Sequence, residues 1–167
     1  MKSKIAHSIK HRDIGDDYFL TPSLLAKNCI KFINIEKDDI ILDAFGGDGV
    51  FYNNYPECKK DWCEIRDKKD FFGYQKKVDW IITNPPYSLL EKVLPHTYEI
   101  CRKGFGYLLG INNLTPRRIE QANKNGFGLT KLHICKVFKW FGMSIFVVFE
   151  KGKENIITYD RIVWRVL

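Results

Sequence analysis

Long apolar stretches are missing from this chain of 167 residues: runs such as Ile145 to Phe149 fall far short of a membrane span, which takes ~20 apolar residues. Met1-Lys2-Ser3-Lys4 leads into no apolar signal region, so the expectation is an intracellular, cytoplasmic protein. The five cysteines, at 29, 58, 63, 101 and 135, form no Cys-x-x-Cys pair and no grouping with His at zinc spacing. That pattern argues against metal and redox roles and for core thiols. Acid is the scarcer charge, with 20 Asp and Glu against 27 Lys and Arg for a formal +7. Such a balance suits a polyanionic partner, although a solvated basic surface explains the same number. Repeats, low-complexity segments and linkers are absent as well.

What is present reads as one globular domain. The apolar share of 45% and charged share of 28% are ordinary for a soluble fold, and the length allows one well-buried core. Residues 1–16 are polar and basic without periodicity and read as a flexible arm, leaving 17–167 as the domain. A helix is expected from Thr21, as cap, through Pro22 to Phe32. Strands are expected at Asp39 to Phe45, Asp61 to Ile65, Asp79 to Thr83 and Gly104 to Ile111. Helices are expected at Ser88 to Arg102 and Pro116 to Lys124, the second capped by Thr115. Leu129 to Trp140 and Met143 to Lys151 read as an antiparallel hairpin, with a further possible strand at Thr158 to Leu167. Strands alternating with helices and closed by a hairpin predict an α/β fold with an open, mostly parallel sheet.

In such sheets ligands bind beyond the carboxyl ends of the strands. The strongest signal there is Asn84-Pro85-Pro86-Tyr87, directly after the apolar run Trp80-Ile81-Ile82-Thr83. Two adjacent prolines can neither extend a ladder nor enter a helix interior, so they fix a rigid turn at a strand end. A second signal is Asp43-Ala44-Phe45-Gly46-Gly47-Asp48-Gly49, whose glycines permit a tight turn and close approach of a ligand. Tyr52 stands where a dinucleotide fingerprint requires Gly or Ala, which disfavours a nicotinamide or flavin. Asp43 would repel a phosphate and favours a cofactor carrying an amine. Glu64, 21 residues on, can accept hydrogen bonds from both hydroxyls of a ribose. Asp70-Phe71-Phe72 offers an acceptor for an exocyclic amine beside aromatic faces. An exposed Glu, a turn Asp and core phenylalanines are the plain alternatives for these last two.

Taken in order, Asp43-x-Phe45-x-Gly47-x-Gly49, Glu64, Asp70-Phe71 and Asn84-Pro85-Pro86-Tyr87 resemble the motif series of S-adenosylmethionine-dependent DNA methyltransferases that act on exocyclic amino groups, chiefly adenine N6. Asp17-Tyr18-Phe19-Leu20-Thr21-Pro22 resembles the motif preceding the glycine loop in many of them. The likeness spans roughly residues 17–150 and extends to short phage and bacterial forms. It implies a Rossmann-like class I methyltransferase fold and S-adenosylmethionine as cofactor. Tyr18 and Thr21 would lie at the methionine end of the cofactor, and the backbone of Asp43, Phe45 and Gly47 around the methionine moiety. Glu64 would hold the ribose, Asp70 the adenine amine, and Phe71 would stack on the adenine.

Asn84, with Pro85, Pro86 and Tyr87, would form the catalytic turn. The Asn84 oxygen and the Pro85 carbonyl would accept the two hydrogens of the target amine, turning its lone pair toward the methyl group. Tyr87 would stack on the target base, with Trp140 or Phe141 on the opposite face. No metal is called for. The resembling DNA enzymes usually carry a separate target-recognition region, and none is legible here. Recognition would then come from the basic arm and nearby loops, or from a protein partner or a second copy of the chain. The expected substrate is nucleic acid, DNA ahead of RNA, with three rivals: an RNA adenine-N6 enzyme that depends on a partner, a glutamine-N5 protein methyltransferase, and a catalytically silent scaffold subunit.

Overall fold

Side chains along a strand alternate between the two faces of its sheet, and here both faces of the central strands are apolar, so both need a covering layer. The computed structural model describes residues 21–135 and 143–159. Its six strands are β1 (Ile40–Asp43), β2 (Lys59–Trp62), β3 (Val78–Thr83), β4 (Cys101–Gly110), β5 (Phe127–Cys135) and β6 (Ser144–Lys151), in the sheet order β2-β1-β3-β4-β6-β5. The pairs β1/β2, β1/β3 and β3/β4 are parallel, whereas β6 runs antiparallel to both β4 and β5. The expected closing hairpin is thus the β5/β6 pair, running from Phe127 opposite Lys151 to Cys135 opposite Ser144 with a one-residue shift in register between Leu129 and Lys131.

Helices α1 (Ser23–Ile30) and α2 (Val50–Asn54) cover one face, where Ala26, Cys29 and Phe51 pack on Ile41, Trp80, Ile82 and Phe146. Helices α3 (Leu90–Ile100) and α4 (Pro116–Lys124) cover the other, where Leu90, Val93 and Ile119 join Leu42, Ile81, Phe105 and Val147. Residues adjacent in sequence, such as Ile41 and Leu42, therefore enter different clusters. Gly104 in β4 makes this packing possible. A Cβ there would stand 2.4 Å from the Phe149 carbonyl oxygen and 2.5 Å from the Trp80 ring.

Several expected bounds shift for physical reasons. The first helix begins at Ser23 with Pro22 at its N-cap and no side-chain cap bond, so Thr21 does not cap it. The second strand, Lys59–Trp62, starts two residues and ends three residues before the expected one, because Lys59 and Lys60 are exposed on an edge strand that the apolar pattern does not mark. The helix after the prolines starts with a 3-10 turn, Tyr87–Leu89, and accommodates Pro95 in its interior. The helix at Pro116–Lys124 forms as read, with the Thr115 hydroxyl accepting from the Arg118 N–H. The short α2 was not anticipated. The basic arm 1–16, residues 136–142 with Trp140 and Phe141, and the final segment from residue 160 lie outside the described residues.

Candidate active site

Parallel order brings the carboxyl ends of β2, β1, β3 and β4 to one edge of the sheet, and the polar residues singled out above lie along it. Asp43, at the end of β1, is fully buried. Its Oδ1 accepts from the Thr83 hydroxyl at 2.7 Å and its Oδ2 from the Tyr52 N–H at 3.2 Å. Burial pushes its carboxyl up to about 6 in spite of these bonds. The Thr83 oxygen in turn accepts from the Phe45 N–H at 3.3 Å. Asp43 therefore acts on a ligand only through the loop it anchors. That loop is stapled to the end of β2 by Gly46 N–H donating to the Cys63 carbonyl at 2.8 Å. Gly47 and Gly49 take φ of 53° and 76°, the left-handed region that only glycine enters cheaply.

Glu64 follows β2 and reaches over the loop, its side chain only 11% exposed. Oε2 accepts from the Gly47 N–H at 2.8 Å, and Oε1 from the Arg66 N–H and Nε at 3.2 and 3.1 Å. A carboxylate is thus held at the mouth of the glycine loop, with one oxygen facing a side chain that can swing away. Asp70 is exposed and caps the 3-10 turn Phe71–Gly73 by accepting from the Phe72 N–H at 3.1 Å. Phe71 itself is buried against Phe45 and, edge-on, His96, with ring centres 5.1 and 4.8 Å away; Phe72 is the exposed ring of the pair.

At the end of β3, Asn84 is half-buried and its Nδ2 donates to the Thr21 hydroxyl at 3.2 Å. Its Oδ1 is enclosed. Pro85 is buried, while Pro86 and Tyr87 are half-buried, and the Leu89 N–H donates to the Pro86 carbonyl at 3.1 Å to begin the next turn. The Tyr87 ring lies beside Gly110 at the end of β4.

Sequence residues far apart thus meet in pairs: Thr21 with Asn84, Glu64 with Gly47, and Phe45 with Phe71. Tyr18, Trp140 and Phe141 lie outside the described residues. Sequence reasoning missed Thr83, whose hydroxyl ties β1 to β3; a polar residue ending an apolar strand was the available signal. His96, which no sequence motif contains, touches Phe71, and its Nε2 lies 2.9 Å from the Tyr74 carbonyl. Only tertiary contact makes that visible. Among the described residues no cluster of His, Cys, Asp or Glu is suited to a metal ion, and no helix is long and apolar enough to cross a membrane.

No protein-family model matches the chain, and no curated protein matches it. Solved structures do resemble it. Magnesium protoporphyrin IX methyltransferase (ChlM) of Synechocystis PCC 6803, solved with bound SAM, superposes with a TM-score of 0.61 at 10% identity, over 89% of this chain and 92% of that one. The 23S rRNA methyltransferase ErmE superposes with a TM-score of 0.59 at 12% identity, over 85% and 73%. TrmN of Thermus thermophilus superposes with a TM-score of 0.53 at 16% identity, over 77% of this chain and 48% of that one, so the match spans about half of its length. At these identities the likeness shows architecture: the chain has the Rossmann-like fold of class I methyltransferases.

Proposed function

We propose that the chain transfers the methyl group of S-adenosylmethionine to the N6 amino group of adenine in DNA. The observation that carries this reading is the contact of Asn84 with Thr21 at the end of the central strand β3, next to the loop that Asp43 anchors. It joins the residue expected at the methionine end of the cofactor to the residue expected at the target amine. S-adenosylmethionine supplies a methyl group already activated on a sulfonium. The donor set suits it: Glu64 offers Oε1 to ribose hydroxyls in exchange for Arg66, and the turned backbone of residues 43–49 receives the methionine part. Asp70 faces the adenine amine, and the exposed ring of Phe72, backed by the buried Phe71, supplies the aromatic face beside it. Tyr18 joins Thr21 at the methionine end.

The remaining work falls to the proline turn. An adenine amine is a poor nucleophile because its lone pair delocalises into the ring. With the Asn84 NH2 group committed to Thr21, its oxygen is the acceptor for one amine hydrogen, and the Pro85 carbonyl takes the other. Pro86 stiffens the turn, so both acceptors hold position without reorganisation. Tyr87 stacks on the extruded base, with Trp140 or Phe141 on its other face.

The formal +7 and the aromatic supply favour nucleic acid over a protein loop. Residues 17–167 act as one catalytic domain, and the arm 1–16, a partner or a second copy supplies target recognition. RNA is the second reading, favoured by the likeness to a 23S rRNA methyltransferase over most of both chains. Incubation with methyl-labelled cofactor and a panel of DNA, RNA and protein extracts tests the proposal. Label is expected on adenine N6 of DNA. Asn84→Ala should lower the rate by about a hundredfold or more with the melting curve unchanged. Label on RNA selects the second reading, and label on glutamine or full activity of Asn84→Ala overturns the amine mechanism in nucleic acid. Glu64→Ala, followed by calorimetry, should weaken cofactor binding about tenfold or more, since a buried charged acceptor is lost.

A further inference from the structure

We infer that Asn113, just beyond β4, reads the target base: its side-chain NH2 donates to the ring nitrogen next to the amine that is methylated. The inference rests on the methyl-transfer reading above and deepens it. Gly110 ends β4 between two side chains. A Cβ placed on it would stand 3.4 Å from Asn113 Nδ2 and 3.5 Å from Tyr87 Cε2. The Asn113 amide and the ring proposed to carry the base therefore both approach the space over Gly110 at the end of the strand.

The direction of that amide is set by the protein. Arg118 Nη1 donates to the Asn113 carbonyl at 2.8 Å and to its side-chain Oδ1 at 3.4 Å. A guanidinium has donors only, so the amide oxygen faces it and the NH2 group turns toward the gap. Arg118 is itself fixed, with Nε and Nη2 donating to Glu91 Oε1 at 3.3 and 3.1 Å, and its side chain is 17% exposed. Glu91 belongs to the first turn of α3, the helix that follows the proline turn. The chain of contacts thus runs from the proposed catalytic turn, through α3 and α4, back to a donor pointing at the same gap.

A base drawn onto Tyr87 presents its Watson–Crick edge to such a group. Adenine carries an acceptor, N1, next to its N6 amine. Guanine carries an N–H donor in the equivalent place beside its own amine, and a fixed NH2 opposes it. Asn113 accordingly selects bases that set an acceptor beside the amine on the Watson–Crick edge, which guanine, whose acceptor N3 lies on the minor-groove side of its amine, does not, and orients them for transfer.

The test is a coupling measurement on the full chain, using the adenine oligonucleotide that takes label and its 1-deazaadenine counterpart, in which the ring acceptor is replaced by C–H. The wild-type rate at low substrate should fall about five- to tenfold on the analogue, the effect of one lost hydrogen bond. Asn113→Ala should lose a similar factor on adenine and nothing more on the analogue. Asn113→Asp keeps its oxygen on Arg118 and should melt no lower than wild type, yet lose more than Asn113→Ala on adenine, because an acceptor then faces an acceptor. Arg118→Leu should shrink the same coupling, while cofactor affinity stays at the wild-type value in all three variants. If the Asn113→Ala and analogue penalties multiply in full, the inference is overturned while methyl transfer stands. If the wild type labels no nucleobase, the methyl-transfer reading falls and takes the inference with it.

Discussion

A carboxylate sealed inside a protein is costly to ionise, and Asp43 shows what such a group secures. Its two oxygens receive one donor from β3 and one from the start of α2, so a single side chain ties the glycine loop to both neighbours. Burial raises its folded-state value to about 6, above the ordinary aspartate range near 3.9. In the window between those values the folded state binds more protons than the unfolded state. The contribution of Asp43 to stability therefore falls as pH rises from about 4 to about 6, by roughly 3 kcal/mol, and is level above that. Asp43→Asn removes this slope. Urea denaturation from about pH 4 to about pH 7 should show the variant gaining on wild type by roughly that amount; a constant gap would mean that the carboxyl titrates normally.

At the scale of elements, the sheet is organised by what its strands allow to approach. β4 reads as a strand by its apolar residues, but its glycine at 104 carries a second message: the Phe149 carbonyl of β6 and the Trp80 ring of β3 occupy the space of a side chain. Gly104→Ala should cost about 1 to 3 kcal/mol, because a neighbouring backbone must move, and the urea midpoint should drop accordingly. An unchanged midpoint would show that the sheet yields there freely. The elements also explain Thr21. Ahead of a proline and a helix it reads as an N-cap, yet its hydroxyl meets Asn84, 63 residues away. A local rule named the wrong partner because the competing one lies across the fold. The edge strand β2 was misplaced for a related reason: only half of its short length is covered, so periodicity is faint.

At the scale of the whole molecule, charge decides what the protein meets first. Several cations are answered within the fold, as in the pairing of Lys103 with Asp39 and Glu36, of Arg102 with Asp79, and of Arg118 with Glu91. Lys69 and Lys60 lie over the rings of Trp62 and Tyr52 at 3.9 and 4.4 Å. The sum remains +7, and with the nucleic-acid substrate proposed above such an excess would engage phosphates through counterion release. Substrate affinity should therefore fall about tenfold or more between about 50 and about 200 mM salt in a titration with labelled oligonucleotide. A flat response would point to an uncharged or peptide substrate.

The parallel α/β plan, the closing hairpin, the glycine turn and the proline turn at a strand end are legible along the chain, because each depends on residues close together in it. Period-two alternation and the fixed φ of proline are local properties, and they survive without knowledge of the partner. Contacts across the fold account for the rest: Thr21 serves Asn84, Thr83 couples Asp43 to the loop, Phe71 is covered while Phe72 is exposed, and Asn113 and Tyr87 both approach Gly110. Those facts come from strand order and helix placement, which bring together residues separated by 26 to 63 positions, and no local spacing encodes that meeting.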